Sequence, residues 1–250
     1  MAQRTFLITG AGSGIGKSTA FEFSKRGDRV ILAGRTPSHL EQTHGELSGH
    51  GHMVLACDQR DPGLTTKAIN RLEKLDGIIA NAGIGGENQF GEHDRWDDII
   101  ATNLSGTYHV IMAALPLLKK SPGVKHITMV SSILARLGVP GYTAYCASKA
   151  GMLGLMRALA AELTAEQILV NAICPGWVDT QMARDGIKAF AASTGQTYND
   201  ALQQQMSHVP LKKMSQPEEI AALLTYLTSP MQTSITGQTF DINNGALMPC

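Results

Sequence analysis

RTFLITGAGSGIG, residues 4–16, places a short apolar strand directly before a loop that contains four glycines. From residue 15 to residue 26 apolar side chains recur with helical spacing, so the glycines lie at a strand-to-helix turn. Glycines at such a turn let the backbone approach a pyrophosphate and leave the helix N-terminus free to bind it. Because any tight turn also uses glycine, the loop indicates a dinucleotide site without establishing one.

The second apolar segment, residues 29–33, is followed by Gly34 and Arg35. In a dinucleotide-binding fold, an acidic residue at this strand end binds the ribose hydroxyls of adenosine. An arginine suits a 2′-phosphate instead, through charge-assisted and often bidentate hydrogen bonds. We therefore predict that NADP(H) is preferred and leave NAD(H) open, with an exposed turn arginine as the alternative. Thr36 and Pro37 then predict the start of a helix.

Strands and amphipathic helices alternate along the remaining chain. We predict strands over residues 53–56, 77–80, 127–130, 169–173 and 238–242, and helices over residues 64–75, 96–118, 185–193, 198–207 and up to 227. This rhythm predicts an α/β fold with a parallel sheet, whose ligands bind across the carboxyl ends of the strands. The glycine loop, Arg35, Asp58 and Asn81 all lie on that edge, and Asp58 is either an adenine contact or a turn residue.

The stretch MVSSILARLGVPGYTAYCASK, residues 129–149, carries the predicted chemistry. Tyr145 and Lys149 are four residues apart on a helix predicted to begin near residues 142–144, so their side chains share one face. A nearby ammonium favours the phenolate and lowers the tyrosine pKa towards the working range. A hydroxyl of Ser131 or Ser132 would hydrogen-bond a substrate oxygen beside the tyrosine. An ordinary surface helix is the alternative.

Two further patterns concern helices. Asn103 falls on the buried stripe of the helix predicted over residues 96–118. Because a buried amide must find partners, Asn103 is either a structural hydrogen-bonder or part of the site. Ser215 and Glu218 have the spacing of a capping box at the start of the last helix.

Composition limits the classes of partner. The 250 residues are 43% hydrophobic and 17% charged, as in a soluble globular protein, and 21 basic residues balance 21 acidic ones. Zero net charge argues against nucleic acid or an anionic membrane as a partner held by bulk charge. We find no signal peptide and no membrane-spanning length.

Cysteine and histidine spacing gives no metal site. The four cysteines are scattered, which favours a reduced cytoplasm; they are Cys57, Cys146, Cys174 and Cys250. Cys146 is predicted to be a small buried filler, and a place near the site beside Tyr145 is the alternative. His50 and His52 lack an evident third ligand, so we predict no metal.

An ordered set of motifs carries a resemblance. Thr9-Gly-x-x-x-Gly-x-Gly16, Asn81-Ala82-Gly83, Asn103, Ser132 and Tyr145-x-x-x-Lys149 together resemble the short-chain dehydrogenase/reductase family, including its 3-oxoacyl-[acyl-carrier-protein] reductases. The resemblance runs from the first strand to the C-terminus. It implies a single Rossmann-type domain over residues 1–250, with a doubly wound, seven-stranded parallel sheet and helices on both faces.

The resemblance also implies catalytic roles. Tyr145 would be the acid/base, and Lys149 would lower its pKa and hold the nicotinamide ribose. Asn103 would anchor a water that relays protons to Lys149. Ser132, thirteen residues before the tyrosine, takes the serine role in preference to Ser131.

A larger set is implied for the cofactor. Asn81 would brace the sheet, Val178 and Thr180 would hold the carboxamide, and Arg35 matches NADP-preferring members. Ser13 departs from them, since some NADP users place a basic residue there. The full predicted cofactor set is Gly10, Ser13, Gly14, Ile15, Gly16, Arg35, Thr36, Asp58, Asn81, Ala82, Gly83, Tyr145, Lys149, Pro175, Gly176, Val178 and Thr180.

Residues 182–213 correspond to the segment that closes over the substrate in this family. The predicted pocket is apolar with aromatic edges, which favours a medium-sized ketone or acyl chain; its residues are Leu134, Leu137, Val139, Tyr142, Trp177 and Met182. A 3-oxoacyl thioester on a carrier protein would want a basic patch at the mouth. Its candidate cations are Arg136, Lys188, Lys212 and Lys213.

The resemblance implies that the protein is a carbonyl reductase and that it forms a homotetramer. Small residues line one face of the helix that carries Tyr145, and the alternative is that they serve packing within one subunit; they are Ala147, Ala150, Gly151, Gly154 and Ala158. The predicted activity is reversible, NADP(H)-dependent reduction of a ketone. An NAD-dependent secondary alcohol dehydrogenase and a non-catalytic dinucleotide sensor are the alternatives.

Overall fold

The structure is a computed structural model that describes residues 3–248, so Cys250 lies outside the described residues. Seven strands form one parallel sheet in the order β3-β2-β1-β4-β5-β6-β7. The strands are β1 (Thr5–Thr9), β2 (Arg29–Gly34), β3 (Met53–Ala56), β4 (Gly77–Ala80), β5 (Lys125–Val130), β6 (Ile168–Pro175) and β7 (Thr239–Ile242).

Helices connect the strands and cover both faces of the sheet. They are α1 (Gly14–Lys25), α2 (Pro37–Gly45), α3 (Pro62–Ile69), α4 (Trp96–Ile100), α5 (Gly106–Lys120), α6 (Thr143–Leu163), α7 (Gln181–Thr194), α8 (Tyr198–Ser207) and α9 (Pro217–Leu227). The strand order reverses between β1 and β4, as in a doubly wound sheet. The predicted fold class and seven strands are confirmed.

Side chains of β1 show how the two faces are built. All five residues of the strand are buried, as expected for a parallel strand covered on both sides. Leu7 packs into one hydrophobic cluster with α5 and α6. Phe6 and Ile8 point to the other face and pack into a second cluster with α1 and α9. The core is therefore split by the sheet into two layers.

The helix predicted over residues 96–118 is interrupted. A π-helical turn, Ala101–Ser105, separates α4 from α5 and contains Asn103. The N–H of Gly106 bonds to the carbonyl of Ala101, five residues back, instead of to Thr102. The apolar stripe predicted one continuous helix because burial continues through the π turn; Thr102 and Asn103 are both buried there.

Two other helix boundaries differ from prediction. The helix predicted over residues 64–75 is α3, which starts after Asp61, whose carboxylate accepts from Leu64 N at 2.9 Å, and ends at Ile69. The buried pattern misled here because Leu72 and Leu75 stay buried in the turn that follows. The segment predicted over residues 185–193 is longer, because the Thr180 hydroxyl caps α7 at Ala183 N.

The predicted capping box was shifted by one residue. Gln216, and not Ser215, is the N-cap of α9, and its N–H donates to Glu219 Oε2 at 2.6 Å. Glu218 accepts instead from the Ser18 hydroxyl of α1 at 2.9 Å. Ser215 is held by backbone bonds to the segment that precedes α7, so it cannot serve as the cap.

None of the helices described within residues 3–248 is both long and apolar enough to cross a membrane.

Candidate active site

Parallel strands bring all their carboxyl ends to one edge of the sheet, and the glycine loop lies there after β1. Gly10 has a φ of +66°, and a Cβ on it would lie 2.9 Å from Ala82 Cα. A Cβ on Gly16 would lie only 2.2 Å from Gly10 O. Real side chains do not fit at these distances, so glycine is required for the loop to fold back between β1 and α1.

The N-terminus of α1 opens onto the same edge. Ser13 is the N-cap, yet its side chain makes no capping hydrogen bond. The first N–H groups of the helix are therefore free for an external anion. Thr180 Cγ2 would lie 3.0 Å from a Cβ on Gly14, which places the segment after β6 against the glycine loop. This cradle fits the diphosphate of a dinucleotide.

Asn81 joins β1 to β4 where the strand order reverses. Its Nδ2 donates to Thr9 O at 2.9 Å, and the Thr9 hydroxyl accepts from Asn81 N at 3.0 Å and from Ala82 N at 2.9 Å. The side chain thus fixes the opening of the crevice between the two strands. This is the bracing position that the resemblance implies.

The predicted adenosine end is exposed. Arg35 and Thr36 follow β2 on the surface, and Arg35 makes no salt bridge within the described part of the chain. Asp58 forms an ion pair, because Arg60 Nη2 lies 2.6 Å from its Oδ2. The same arginine also pairs with Asp98, whose Oδ1 lies 2.6 Å from Arg60 Nη1. Hydrogen bonds from Arg60 lower the pKa of Asp58, with a smaller contribution from Arg35. Arg60 was not among the residues predicted from the sequence.

Tyr145 lies in the first turn of α6 and is partly exposed. Burial raises its pKa to about 12, which a hydrogen bond with Ser132 opposes. The expected lowering of this pKa by Lys149 was wrong for the structure described. Lys149 Nζ is 5.6 Å from the centre of the tyrosine ring and donates to Val130 O at 2.9 Å.

Lys149 is 3% exposed, and burial lowers its pKa to about 8. The two serines before it have different partners. Ser131 Oγ donates to the backbone carbonyl of Lys149 at 2.8 Å and so anchors α6 to β5. Ser132 faces Tyr145 and accepts from Leu134 N at 3.1 Å. The geometry therefore favours Ser132 over Ser131 as the hydroxyl beside the tyrosine.

Asn103 is fully buried in the π turn. Its Oδ1 accepts from Ile84 N at 2.8 Å, and its Nδ2 donates to Ile84 O at 3.0 Å and to Ser148 Oγ at 3.1 Å. The amide therefore holds the loop after β4 against α6. A Cβ on Gly83 would lie 3.1 Å from Asn103 Oδ1 and 3.4 Å from Lys149 Nζ, so Asn103 is both a structural hydrogen-bonder and a neighbour of the site.

Asn88 is a site-supporting residue that the sequence analysis missed. Its side chain is 9% exposed, and Oδ1 accepts from Ala144 N at 2.9 Å and from Thr143 Oγ1 at 3.1 Å. Tyr142, the N-cap residue of α6, gives no side-chain cap. Asn88 therefore caps from another loop the helix turn that carries Tyr145. Asparagine is common in turns, so no local signal in the sequence marks it.

The residues predicted to line the substrate pocket differ in their burial and in what they contact. Met182 reaches the loop after β4, where a Cβ on Gly85 would lie 3.0 Å from its Sδ and 3.8 Å from Tyr145 Cε2. Leu137 is exposed, while Leu134, Val139 and Tyr142 are half-buried. Trp177 packs instead with Ile187 and Ala191 under α7.

A cavity of about 560 Å³ is lined by the loop after β4, the start of α4 and the start of α6. Asn88 and Thr143, the first residue of α6, line it, and no predicted pocket residue does. Its other lining residues are Phe90, Asp94, Trp96, Asp97 and Gly141. It therefore does not coincide with the substrate pocket predicted from the sequence.

Surface cations and Cys146 differ from expectation. Cys146 is partly exposed and not a buried filler, because its thiol faces Leu137 O at 3.5 Å in the loop before α6.

The cations considered for a basic patch already have partners within the chain. The ion pairs are Arg136–Asp241 at 3.3 Å, Lys188–Asp185 at 3.6 Å and Lys213–Glu219 at 2.9 Å, while Lys212 donates to Ser207 O.

Across residues 3–248, no group of three potential metal ligands comes together. His52 uses its Nδ1 to accept from Val30 N at 3.1 Å, and its Nε2 lies 2.9 Å from Ser48 O. His52 therefore has a structural role between β2 and the residues that precede β3.

Comparison with known proteins agrees with this geometry. Residues 10–246 match the sequence model of a family described as enoyl-(acyl carrier protein) reductase. The chain is 33% identical over 252 residues to the 3-oxoacyl-[acyl-carrier-protein] reductase FabG of Thermotoga maritima, covering 97% of each chain. A crystal structure of an actinorhodin polyketide ketoreductase variant with NADPH superposes with a TM-score of 0.91 at 30% identity, covering 98% of this chain and 97% of the other.

A second solved structure shows the same fold with the other nicotinamide nucleotide. The 3-ketoacyl-(acyl-carrier-protein) reductase of Brucella melitensis, complexed with NADH, is 27% identical with a TM-score of 0.86, and 98% of each chain is covered. The match to the family extends over nearly the whole chain, and the ordered motifs lie together at one sheet edge. The protein is therefore an oxidoreductase that belongs to the short-chain dehydrogenase/reductase family.

Proposed function

We propose that the protein reversibly reduces a ketone to a secondary alcohol with NADP(H), using Tyr145 as the acid. The observation that carries the proposal is the Tyr145–Ser132 pair beside the buried ammonium of Lys149. With a pKa near 12, the phenol holds its proton at neutral pH and can donate it to a carbonyl oxygen. A sensor without chemistry would not need a protonated phenol next to a buried amine.

The cofactor would supply a hydride to the carbonyl carbon when bound. Glycines of the loop and the N–H groups that begin α1 would bind its diphosphate. Asn81 keeps the crevice between β1 and β4 open for it. Arg35 would bind a 2′-phosphate, and Val178 and Thr180 would contact the nicotinamide end. The NADPH in the ketoreductase structure supports this choice by analogy.

The remaining chemistry belongs to side chains of this chain. Ser132 would hydrogen-bond the carbonyl oxygen and stabilise the developing alkoxide, as an oxyanion hole does. Tyr145 would then transfer its proton to that oxygen. Lys149, with a pKa of about 8, is mostly charged at pH 7 and would stabilise the phenolate that results. Asn103 keeps the loop after β4 in register with this helix.

The proposed substrate is a medium-sized apolar ketone that enters beneath α7 and α8, which act as the lid. The names of similar proteins support a 3-oxoacyl thioester as one candidate. Ion pairing of Arg136, Lys188 and Lys213 speaks against docking of an acidic carrier protein at these cations. A free ketone therefore ranks above a carrier-bound thioester.

We also propose a homotetramer, as the family resemblance implies. Four small residues on the outer face of α6 are exposed in the single chain, which allows close approach of a second copy: Ala147, Ala150, Gly154 and Ala158. Gly151, by contrast, packs within the chain, since a Cβ there would lie 2.8 Å from Leu104 Cδ2. Cytoplasmic location stays a prediction from the cysteines.

The test is nucleotide oxidation against a ketone panel, run in parallel with NADPH and NADH. The panel holds aliphatic, cyclic and aryl ketones and one 3-oxoacyl thioester. We expect turnover with NADPH and one class of ketone. Turnover with NADH alone would overturn the cofactor proposal and favour an NAD-dependent alcohol dehydrogenase. Tight cofactor binding without turnover of any panel member would favour the sensor.

Arg35→Ala tests the cofactor assignment separately. We expect about a tenfold loss of NADPH affinity, the order expected for one charge-assisted contact, with NADH affinity within about twofold. Arg71→Ala, at another exposed arginine, is the matched control. Equal weakening of both nucleotides by Arg35→Ala would make Arg35 a structural residue.

A further inference from the structure

Gln59 is a buried polar residue that neither the motifs nor the proposed mechanism uses. It follows Asp58 in the loop after β3, and its side chain is only 7% exposed. Its Nε2 donates to Thr102 O at 2.7 Å and lies 3.4 Å from Ala82 O. Its backbone carbonyl lies 3.1 Å from His109 Nδ1 of α5. One side chain therefore joins the ends of β3 and β4 to the π turn.

The hydrogen bond to Thr102 O replaces one that the π turn removes. In an α-helix, the carbonyl of Thr102 would accept from the N–H of Gly106, four residues ahead. In the π turn that N–H bonds to Ala101 instead. The buried Thr102 carbonyl has therefore lost its helical donor, and the Gln59 amide supplies a replacement. Without one, the buried carbonyl would be left without a donor and would destabilise the turn.

Gly106 makes room for this side chain. A Cβ on Gly106 would lie 2.6 Å from Gln59 Cγ and 3.0 Å from its Nε2. Any larger residue at this position would push the amide away from the π turn. The glycine at the start of α5 and the glutamine after β3 are therefore matched to each other.

We propose that Gln59 is a positioning residue for the reaction. By bonding Thr102 it holds the π turn, and the turn in turn holds Asn103 against Ile84 and Ser148. Asn103 lies between the loop after β4 and the helix that carries Tyr145 and Lys149. The effect on turnover rests on the proposed function, whereas the effect on the π turn can be measured without any cofactor.

The experiment replaces Gln59 with Met and with Glu. Methionine keeps the length of the side chain but has no donor, so Gln59→Met should lower kcat about tenfold while the KM for the ketone stays within about twofold. Amide exchange of residues 101–106 in the cofactor-free protein should become faster. Gln42→Met, at an exposed position on α2, is the control and should change neither quantity.

Gln59→Glu adds a pH signature that a merely structural role would not give. A buried carboxyl has a raised pKa and, while protonated, keeps one donor for Thr102 O. The kcat of Gln59→Glu relative to wild type should therefore be near one at low pH and fall as the pH rises. The relative kcat of Gln59→Met should stay low at every pH.

The outcomes separate this inference from the proposed function. Absence of wild-type turnover with the whole ketone panel would count against the proposed function, while the exchange measurement would still decide whether Gln59 holds the π turn. A Gln59→Met variant with wild-type kcat and wild-type exchange would overturn the inference. Lower melting temperature alone, or lower kcat without faster exchange, would also overturn it.

Discussion

The amino and carboxyl edges of the sheet differ in whether a buried charged side chain has a partner of opposite charge. At the amino edge, before β1 and β2, Asp28 is buried between two arginines: Arg26 Nε donates to it at 2.6 Å, and Arg4 Nε lies 3.4 Å away. At the carboxyl edge, Lys149 is equally buried but makes no salt bridge with any residue in the described range 3–248. Its ammonium donates there to a neutral carbonyl, Val130 O.

This difference separates a stabilising network from the proposed catalytic one. At the amino edge, opposite charges offset each other, and Arg26 also stacks 4.2 Å from the Phe23 ring. At the carboxyl edge, burial without a counter-charge shifts the pKa of Lys149 down and that of Tyr145 up. Charge changes at the first edge should therefore lower stability without altering turnover, and those at the second should lower turnover.

Tyr145→Phe gives the largest expected effect and tests the reactive edge. Removing the only proposed proton donor should lower kcat by about 10³-fold or more, with cofactor affinity within about twofold. Stopped-flow hydride transfer and a fluorescence titration of the nucleotide would measure the two quantities. Tyr226→Phe, at an exposed tyrosine on α9, is the control. Retention of more than a tenth of wild-type kcat would exclude Tyr145 as the acid.

Asp28→Asn is the matching change at the amino edge. It leaves two buried or half-buried arginines without their carboxylate, which should lower the free energy of unfolding by about 3 kcal/mol. Urea unfolding would measure this loss, and kcat below the melting transition should stay within about twofold. Asp185→Asn, which removes an exposed pair with Lys188, should cost no more than about 0.5 kcal/mol. Similar losses from both variants would contradict the contrast.

Lys149→Met tests whether the unpaired ammonium is a burden on stability. The lysine pKa is about 8 when folded against 10.5 when free, so the unfolded chain binds more protons between these values. Wild-type stability should therefore rise as the pH increases from 8 towards 10, and the burial penalty is fully present below pH 8. At pH 7 the inactive variant should be more stable by about 1–2 kcal/mol. An advantage that does not shrink between pH 8 and pH 10 would reject this explanation.

Asn88→Ala has the smallest expected effect and tests whether the cap of α6 positions Tyr145. Losing the cap of α6 should cost about 1 kcal/mol and lower kcat severalfold, because the first turn carries Tyr145. Asn88→Asp keeps an acceptor for Ala144 N and should recover most of both losses. Asn199→Ala, exposed on α8, is the control. A loss of stability with unchanged kcat would show that the cap supports the fold without positioning the tyrosine.

Much of the fold could be predicted because its signals are local. The glycine loop, the alternation of strands and helices, and the edge where Arg35, Asp58 and Asn81 lie all follow from short patterns. The spacing of Tyr145 and Lys149 likewise predicted a shared helix face. In each case one stretch of chain contains both the cause and its effect.

Long-range contacts explain what the sequence analysis missed. Asn88 caps a helix that begins 55 residues later in the chain, as its bond to Thr143 shows, and Gln59 completes a turn 43 residues away. Neither partner is marked by spacing. The raised pKa of Tyr145 was also missed, because spacing to Lys149 shows proximity but not the burial that outweighs it.

The two helices proposed as the lid, α7 and α8, have consequences for how such a protein can acquire new substrates. Ile187, Ala191 and Ala201 form a small cluster of their own, apart from the two layers that flank the sheet. Replacements on α7 and α8 can therefore alter the walls of the proposed substrate site at little cost to the core. Random variation confined to these helices should yield folded proteins more often than the same number of changes on α5 or α6. Selection can accordingly act on substrate range while the reaction chemistry is inherited unchanged.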